Sequence, residues 1–360
     1  MPNFILFTKT LWGEPPRLRH QVASLLANAG HEVIFVQKPA LPWQMRKPTF
    51  TANDRIRITM CRELIHHKLR LAPLIHQANA ALSARSIRSH ITSSGTGARA
   101  VILNFNYDYY FLRRVFPDNK IFTFINDDHL ATALFRYEKP LRWALEKTCA
   151  FSDRILAVSS SLQDELSSYG PTDLFLPWTD VPYRRPRETA RNILLYWGYI
   201  NDRLDTGLLM HFADYLKRSH PNLRIMLVGP IERGLGRKFT KLFSNGVIEI
   251  SPPAALDSIE LDSVLAGLIP YRFRRKIDAA ELPNKALQIL ARGLPLIISG
   301  MPNFVEQPFI FRIRRSKDSY ETSIATVIKQ FFELQPDIKT FVSMHTPEKR
   351  LAQLIRLSGE

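Results

Sequence analysis

Cysteine is scarce in this chain: Cys61 and Cys149 are the only two among 360 residues. Two thiols in no metal-ligand spacing give no disulfide framework, so a reducing compartment, the cytoplasm, is expected. Long apolar runs are missing as well. The longest, "ILLYWGYI" and "GLPLIIS", fall well short of the roughly 18 residues needed to cross a bilayer. The opening "MPNFILFTKTLWGEPPR" has too short an apolar run for a secretory leader and no small-residue cleavage site, so no signal peptide is expected. Any membrane contact is then expected at the surface. No internal repeat or low-complexity tract is present.

Negative charge is in short supply. Lys and Arg number 49 against 33 Asp and Glu, a formal net charge of +16, and residues 1–120 hold 17 basic against 6 acidic side chains. The first third therefore carries +11 of the total. Such a balance implies an anionic partner: nucleic acid, acidic phospholipid or a phosphorylated substrate. Nucleic acid is the least supported, since neither a helix-turn-helix nor an RNP-like motif nor a lysine cluster at a chain end can be found.

What is present is a chain of two-domain length with 45% hydrophobic residues, enough for two separate cores. Strand and helix signals alternate. "FILFT" (4–8) leads into "RLRHQVASLLANAG", where Leu18, Val22, Leu25, Leu26 and Ala29 recur at helical spacing and Gly30 stops the helix, followed by "EVIFVQ" (32–37). The runs at 100–105, 120–125, 154–159 and 173–178 are near-continuously apolar, as buried parallel strands are. The proline- and charge-rich "PWTDVPYRRPRETARN" (177–192) breaks the rhythm, which then restarts with strand-like runs at 193–198, 224–229, 247–251, 267–271 and 295–299. The expectation is two doubly wound, Rossmann-like α/β domains facing each other across a cleft. Their bounds are 1–178, a linker 179–192, 193–340, and a terminal segment 341–360, with ligands at the carboxyl ends of the strands.

The stretch 64–91 is basic and partly amphipathic. Leu64, Leu71, Leu74, Ile75, Ala78 and Leu82 make an apolar face, with His67, Lys68, Arg70, Arg85 and Arg88 around it. A helix lying on a membrane has that composition; so does an ordinary domain helix with a solvated basic face.

In "ELPNKALQILARGLPLI" (281–297), Pro283 suits the first helical position and Gly293 the left-handed residue past the helix end. Ala286, Leu287, Leu290 and Ala291 form the buried face; Lys285, Gln288 and Arg292 share the opposite one. A helix start after a strand end is suited to phosphate. Lys285 would add a full charge there and Gln288 a hydrogen bond to a sugar or phosphate oxygen, while a plain solvated helix face stays open as the other reading. Gly229, ending the strand "RIMLV", and Tyr271, ending "GLIPY", would line a nucleotide pocket. Asn284 and Glu281, in the same turn as Pro283, join these candidates. Arg272, Arg274, Arg275 and Lys276, in "RFRRKIDAAEL", would raise the local anion concentration.

The pattern Pro283-x-Lys285-x-x-Gln288, then Ala291-x-Gly293-x-Pro295, resembles the donor-site helix of GT-B glycosyltransferases. "Trp12-Gly13-Glu14 … Arg17-x-Arg19-His20-Gln21-x-Ala23 … Gly30-His31-Glu32-Val33" is similar to the opening loop and first helix of that family, and "Tyr196-Trp197-Gly198-Tyr199-Ile200" to the first strand of its donor domain. The retaining group of the family has an acidic residue where Gln288 stands, and an Arg and Lys pair where Arg203 is the only basic candidate. The Lys285 and Gln288 combination with Tyr271 instead resembles the xanthan-type glucuronosyltransferases.

The resemblance implies that Gly198, Gly229, Tyr271, Lys285, Gln288, Asn284, Glu281 and Arg203 hold the donor. Asp128, with Asp127 as alternative, is then the base that takes the acceptor hydroxyl proton; capping of a helix starting at Leu130 is the other reading of this pair. Gly13, His20 and Tyr107, the last in the aromatic run "NFNYDYYFLRR" (104–114), are candidates for the acceptor or its loop. The implied activity is metal-independent hexosyl or glycuronosyl transfer from a UDP- or GDP-linked sugar, with no cofactor, to a saccharide or lipid-linked acceptor in surface polysaccharide biosynthesis. The enzyme would sit peripherally on the acidic cytoplasmic face of the inner membrane, and the terminal segment would pack back toward the first domain. A sugar-nucleotide 2-epimerase of the same architecture and a basic nucleic-acid-binding protein are the alternatives.

Overall fold

The computed structural model describes residues 3–14, 16–41, 49–63, 73–91, 100–130, 138–232, 242, 244–273 and 281–359. The chain divides into two compact units, Met1–Leu176 with Arg350–Glu360, and Pro177–Lys349. Among the described residues each unit is built on one sheet with helices packed against it.

The first unit holds strands β1 (Phe4–Phe7), β2 (Val33–Ala40), β3 (Thr49–Asn53), β4 (Ile56–Arg62), β5 (Val101–Asn104), β6 (Ile121–Ile125), β7 (Arg154–Ala157) and β8 (Thr172–Leu174). Their order is β3-β4-β2-β1-β5-β6-β7-β8, parallel except where β3 runs antiparallel to β4. Every residue of β1, β5 and β6 is buried, which is why these strands read as continuous apolar runs. The β3–β4 hairpin, which lacks such a run, turns on Asn53, whose Oδ1 accepts from the Arg55 and Ile56 amides at 3.0 and 2.8 Å. An Asx turn of this kind is a local device that strand periodicity does not reveal.

Helices α1 (Leu18–Asn28), α2 (Pro73–Ile91), α3 (Leu112–Val115), α4 (Glu138–Ala150) and α5 (Ser160–Leu166) belong to the same unit. Helix α2 buries Asn79, Ala80, Ser83 and Ile87, leaving Ala78 exposed and Leu82 half-buried. The face expected to be apolar is therefore rotated away from the one that packs. Small residues at 80, 83 and 84 let the helix approach β4, while Arg85 and Arg88 stay in solvent, so α2 is a sheet-packing helix with a basic outer face. Residues 64–72 of that expectation lie outside the described residues.

The second unit holds β9 (Ile193–Trp197), β10 (Arg224–Val228), β11 (Ile248–Ser251), β12 (Val264–Pro270), β13 (Leu296–Ser299) and β14 (Ile310–Arg312), in the order β11-β10-β9-β12-β13-β14. All of these pairings are parallel. Helix α6 (Thr206–Ser219) is capped by Asp205, whose Oδ1 accepts from the Leu208 amide at 2.9 Å, and buries Leu208, Leu209, Phe212, Ala213 and Leu216 along one stripe. Helices α7 (Asn284–Leu290), α8 (Lys317–Gln330) and α9 (Gln335–Met344) follow. In both sheets the strand order reverses about the first strand of the unit, between β1 and β5 and between β9 and β12. Such switch points are where open α/β sheets bind ligands.

Residues 179–192 are not a free linker, as expected from their prolines and charges, but a strap bound to the second unit. The Arg184 amide donates to Ala291 O at 2.7 Å and the Asn192 amide to Ser263 O at 2.9 Å. Arg191 Nη1 donates to Val264 O at 2.7 Å, and the Tyr183 hydroxyl to Gln335 Oε1 at 2.9 Å. Proline denies the strap a ladder of its own, so it takes carbonyls that helix and strand ends leave open. The terminal helix α10 (Pro347–Ser358) starts later than the expected residue 341, because α9 continues to Met344 and sets Phe341 against Phe309 with centroids 5.5 Å apart. Residues 350–360 group with the first unit, where Gln353 Nε2 donates to Leu174 O at 2.7 Å and Lys120 Nζ to Ser358 O at 2.6 Å.

Gly293 fastens the strap. Its φ is +72°, a Cβ there would lie 2.4 Å from Pro186 Cδ, and its carbonyl accepts from Gln335 Nε2 at 3.0 Å. Gly293→Ala is expected to destabilise the second unit by about 1–3 kcal/mol through the backbone conformation and the clash. Urea titration would show this as a lowered midpoint; an unchanged midpoint would mean that the strap yields freely.

Candidate functional site

At the switch point of the second sheet, Gly198 follows β9 and Tyr271 follows β12. Lys285, in the first turn of α7, points its ammonium into this corner. Its Nζ lies 3.3 Å from the Tyr196 hydroxyl, 4.4 Å from the Tyr196 ring centroid and 4.8 Å from that of Tyr271. Among the described residues no carboxylate pairs with it. Burial holds the Lys285 pKa below its ordinary value, opposed by Tyr271 and reinforced by the Arg203 charge. Burial also raises the Tyr196 pKa, so this hydroxyl stays protonated, and it donates to Tyr199 O. The ammonium is thus met by π-faces and one neutral oxygen, which favour a cation but do not neutralise it.

The backbone around it is cleared of side chains. Gly198 has φ +137°, and a Cβ there would come 3.2 Å from Lys285 Nζ; Gly229, with φ +151°, would place a Cβ 2.0 Å from Gly198 O. Both positions lie outside the region L-residues adopt. Asn284 is the first residue of α7, and Pro283 is its N-cap rather than its first helical residue. Glu281 carries the backbone acceptor for the Val305 amide at 3.0 Å. Arg203 is exposed, with its carbonyl accepting from the Arg272 amide at 2.7 Å. Residues 274–280 of the basic loop lie outside the described residues.

Farther along α7, Gln288 is oriented by Arg292. Arg292 Nη1 donates to Gln288 Oε1 at 3.0 Å and Nη2 to Asp257 Oδ1 at 2.8 Å. Expected on a solvated polar face, Arg292 is only 6% exposed, because the loop carrying Asp257 covers that end of the helix. With Oε1 accepting from Arg292, Nε2 is the donor end of the Gln288 amide.

The first unit gathers its own polar cluster at the carboxyl ends of β1, β5 and β6. Lys9 and Asp108, after β1 and β5, form an ion pair, with Lys9 Nζ 5.2 Å from the Tyr107 ring and 5.0 Å from that of Tyr109. Tyr107 packs on His129 at 4.4 Å between centroids. Asp127 is exposed and Asp128 half-buried just after β6. Burial keeps the His129 pKa below its ordinary value, against the pull of Asp127, so a neutral imidazole stands beside the two carboxylates. The helix that Asp127 or Asp128 was alternatively read to cap falls on 131–137, outside the described residues.

His20 is spent on structure. Its Nδ1 accepts from the Arg17 amide at 3.1 Å, which leaves the proton on Nε2 to donate to Leu11 O at 3.1 Å. The ring also stacks on Phe35 at 5.4 Å. His20 thus supplies the N3 half of a capping box at the start of α1, its ring accepting from the N-cap amide, and braces the loop of Gly13, which is exposed with open space where a Cβ would go. Tyr196, His129 and the Lys9–Asp108 pair were not singled out from sequence. Tyr196 reads as one more buried strand residue, and the only signal for the others is position, each directly following a strand.

Because the native environment disfavours the Lys285 ammonium, its cost to stability is fully present below the lowered pKa and is relieved as pH rises toward the unfolded value near 10.5. Lys285→Met is accordingly expected to leave the apo melting temperature at pH 7 unchanged or higher. A clear drop in differential scanning fluorimetry would show that the lysine is structural.

No protein-family model and no curated protein sequence matches the chain. Solved structures do. Sucrose-phosphate synthase from Thermosynechococcus elongatus superposes with a TM-score of 0.72 at 12% identity, over 99% of this chain and 98% of that one. The lipopolysaccharide outer core galactosyltransferase WaaB gives 0.67 at 13% identity, over 99% and 98%. Anabaena HepE, solved in complex with UDP, gives 0.65 at 12% identity, over 98% of each chain. At these identities the likeness is one of fold, and this chain, with its two parallel-sheet units, has the two-domain GT-B fold.

Proposed function

We propose that the chain is a glycosyltransferase that moves a hexosyl or glycuronosyl group from a UDP- or GDP-linked sugar to a saccharide or lipid-linked acceptor in surface polysaccharide biosynthesis. The observation that carries this reading is the uncompensated Lys285 ammonium at the switch point of the second sheet, walled by two tyrosines and two glycines. A nucleoside diphosphate is a leaving group whose charge grows as the glycosidic bond breaks, and a preorganised, poorly solvated cation stabilises that charge best. Helix α7 is only two turns long, so the lysine rather than the helix dipole supplies most of the field. HepE, of the same fold, was solved with UDP bound.

The two units divide the work. In the second, Lys285 and Arg203 neutralise the diphosphate and Gln288 Nε2 donates to a sugar or ribose oxygen. In the first, Asp128 or Asp127 takes the proton of the acceptor hydroxyl as its oxygen attacks the anomeric carbon and the bond to the diphosphate oxygen breaks. Lys285 does the neutralising that a divalent ion does elsewhere, so the reaction proceeds without metal. The basic outer face of α2 and the charge of the first unit suit an acidic membrane surface; no helix among the described residues is long and apolar enough to cross one.

Thermal stabilisation by UDP, GDP, dTDP and ADP and their sugars tests the reading. One nucleotide is expected to stabilise the protein, and Lys285→Ala to weaken it by about 10- to 100-fold, the value of a hydrogen bond to a charged group. No shift with any nucleotide would overturn the assignment. Affinity is expected to fall as pH rises through the lowered Lys285 pKa, earlier than for an ordinary lysine, with protons taken up on binding; calorimetry in buffers of different ionisation enthalpy reads this directly. Asp128→Asn and Asp127→Asn should separate the base from its neighbour, the base variant losing about 10²–10⁴-fold in kcat with nucleotide affinity intact.

A further inference from the structure

We infer that Arg19 is an anion anchor for the acceptor, so that the sugar receiving the transferred group carries a phosphate or a carboxylate. The inference rests on the glycosyltransferase reading and names its acceptor class.

Arg19 is the second residue of α1, whose start is held by the His20 ring between the Arg17 amide and Leu11 O. The helix buries Val22, Ala23, Leu25 and Leu26, so the Arg19 side chain leaves a rigid support. It is half-buried, its Nε is sealed from solvent, and among the described residues no acceptor lies within hydrogen-bonding distance of that atom. Among the described residues no ion pair reaches its guanidinium either: Glu14 pairs with the neighbouring Arg17 at 3.6 Å.

An orphaned Nε is not peculiar to Arg19, since Arg191 shows one too, but the terminal nitrogens of Arg191 donate to Leu261 O, Val264 O and Arg187 O, and other guanidinium groups placed for structure are tied as well. Arg113 has Phe151 O at 3.2 Å, Pro117 O at 3.2 Å, Asn119 O at 2.9 Å and Asp153 Oδ2 at 2.6 Å. Arg292 is likewise tied to Gln288 and Asp257. A buried donor left without an acceptor costs the full desolvation of the group, so the fold holds Arg19 at a cost that a bound anion would offset. Its planar fork of N–H groups matches phosphate or carboxylate two bonds at a time.

The surroundings identify which anion. Arg19 follows the carboxyl end of β1, and Asp127 and Asp128 follow that of β6, on the same edge of a sheet whose order there is β1-β5-β6, so a group bound by Arg19 lies at the sheet edge that carries the two candidate bases. Asn126, the residue before Asp127, has a buried Oδ1 that also finds no partner among the described residues. It accepts hydrogen bonds, as a sugar hydroxyl requires. An unpaired donor fork and an unpaired acceptor at the carboxyl edge of one sheet, next to the base, fit an anionic sugar better than a neutral one. The donor diphosphate is the competing source of anion, and its own cation, Lys285, belongs to the second unit.

The test uses the full-length protein saturated with whichever nucleotide binds it, titrated with glucose 6-phosphate, glucuronate, inorganic phosphate and neutral glucose, in wild type, Arg19→Gln and Arg19→Lys. The expected result is binding of at least one anion but not of glucose. That binding should weaken about tenfold or more in Arg19→Gln, be partly kept in Arg19→Lys, and leave nucleotide affinity within about twofold. Removing an unpaired charge should also leave the apo melting temperature of Arg19→Gln no lower than wild type. Equal loss of nucleotide affinity would assign Arg19 to the donor, and a lowered apo melting temperature would make it structural; either overturns the inference. So does binding of the nucleotide with none of the anions, or of glucose as tightly as the anions. If no nucleotide binds the wild type, the donor reading fails first and this inference falls with it.

Discussion

An ammonium group with no counter-ion among the described residues organises the second unit. Lys285 is lodged between Tyr196 and Tyr271, and both rings must be held where their faces meet it. Tyr196 is anchored by full burial in β9 and Tyr271 by its position past β12. These two strands are neighbours only because the sheet order reverses there. Gly198 must then pass beside the ammonium and Gly229 beside Gly198, with no room for a Cβ at either. Topology, backbone conformation and electrostatics converge on one corner, where a desolvated charge carries an energetic penalty.

The first unit repeats the scheme with opposite emphasis. Its switch point, between β1 and β5, is closed by the Lys9–Asp108 ion pair, so positive charge there is compensated, and carboxylates dominate the neighbouring strand end with Asp127 and Asp128. Two sheets of similar winding thus present different chemistry: a cation seeking an anion in the second, carboxylates with a neutral imidazole in the first. That asymmetry is what a transfer reaction with one leaving group and one nucleophile requires.

Backbone satisfaction explains the less regular parts. The strap at 179–192 has little secondary structure, yet its amides and arginines take the carbonyls of Ala291, Ser263, Leu261 and Val264. The same accounting separates Arg19 and Lys285 from the other buried cations, since most of those find acceptors among neighbouring carbonyls and carboxylates.

Buried parallel strands announce themselves, and so the alternation of β and α elements, the two-unit division and the positions of β1, β5, β6, β9, β10 and β13 followed from apolar runs alone. The placement of Lys285, Gln288, Tyr271 and Gly229 at a helix start and at strand ends was legible because such ends have local signatures, while Gly198 came from the family resemblance. The β3–β4 hairpin, the docking of the strap and the burial of Arg292 were not, for each depends on partners distant in sequence: Arg292 reads as a solvated helix residue until Asp257 is placed over it. His20 reads equally as ligand or brace until Leu11 O is found against its Nε2. Sequence by itself determined which segments are strands and helices, because hydrophobic periodicity is a local property of the chain. Which polar groups are satisfied and which are left waiting for a ligand was decided only by tertiary structure, because a hydrogen bond or an uncompensated charge is a property of a pair, and the partners here stand tens of residues apart.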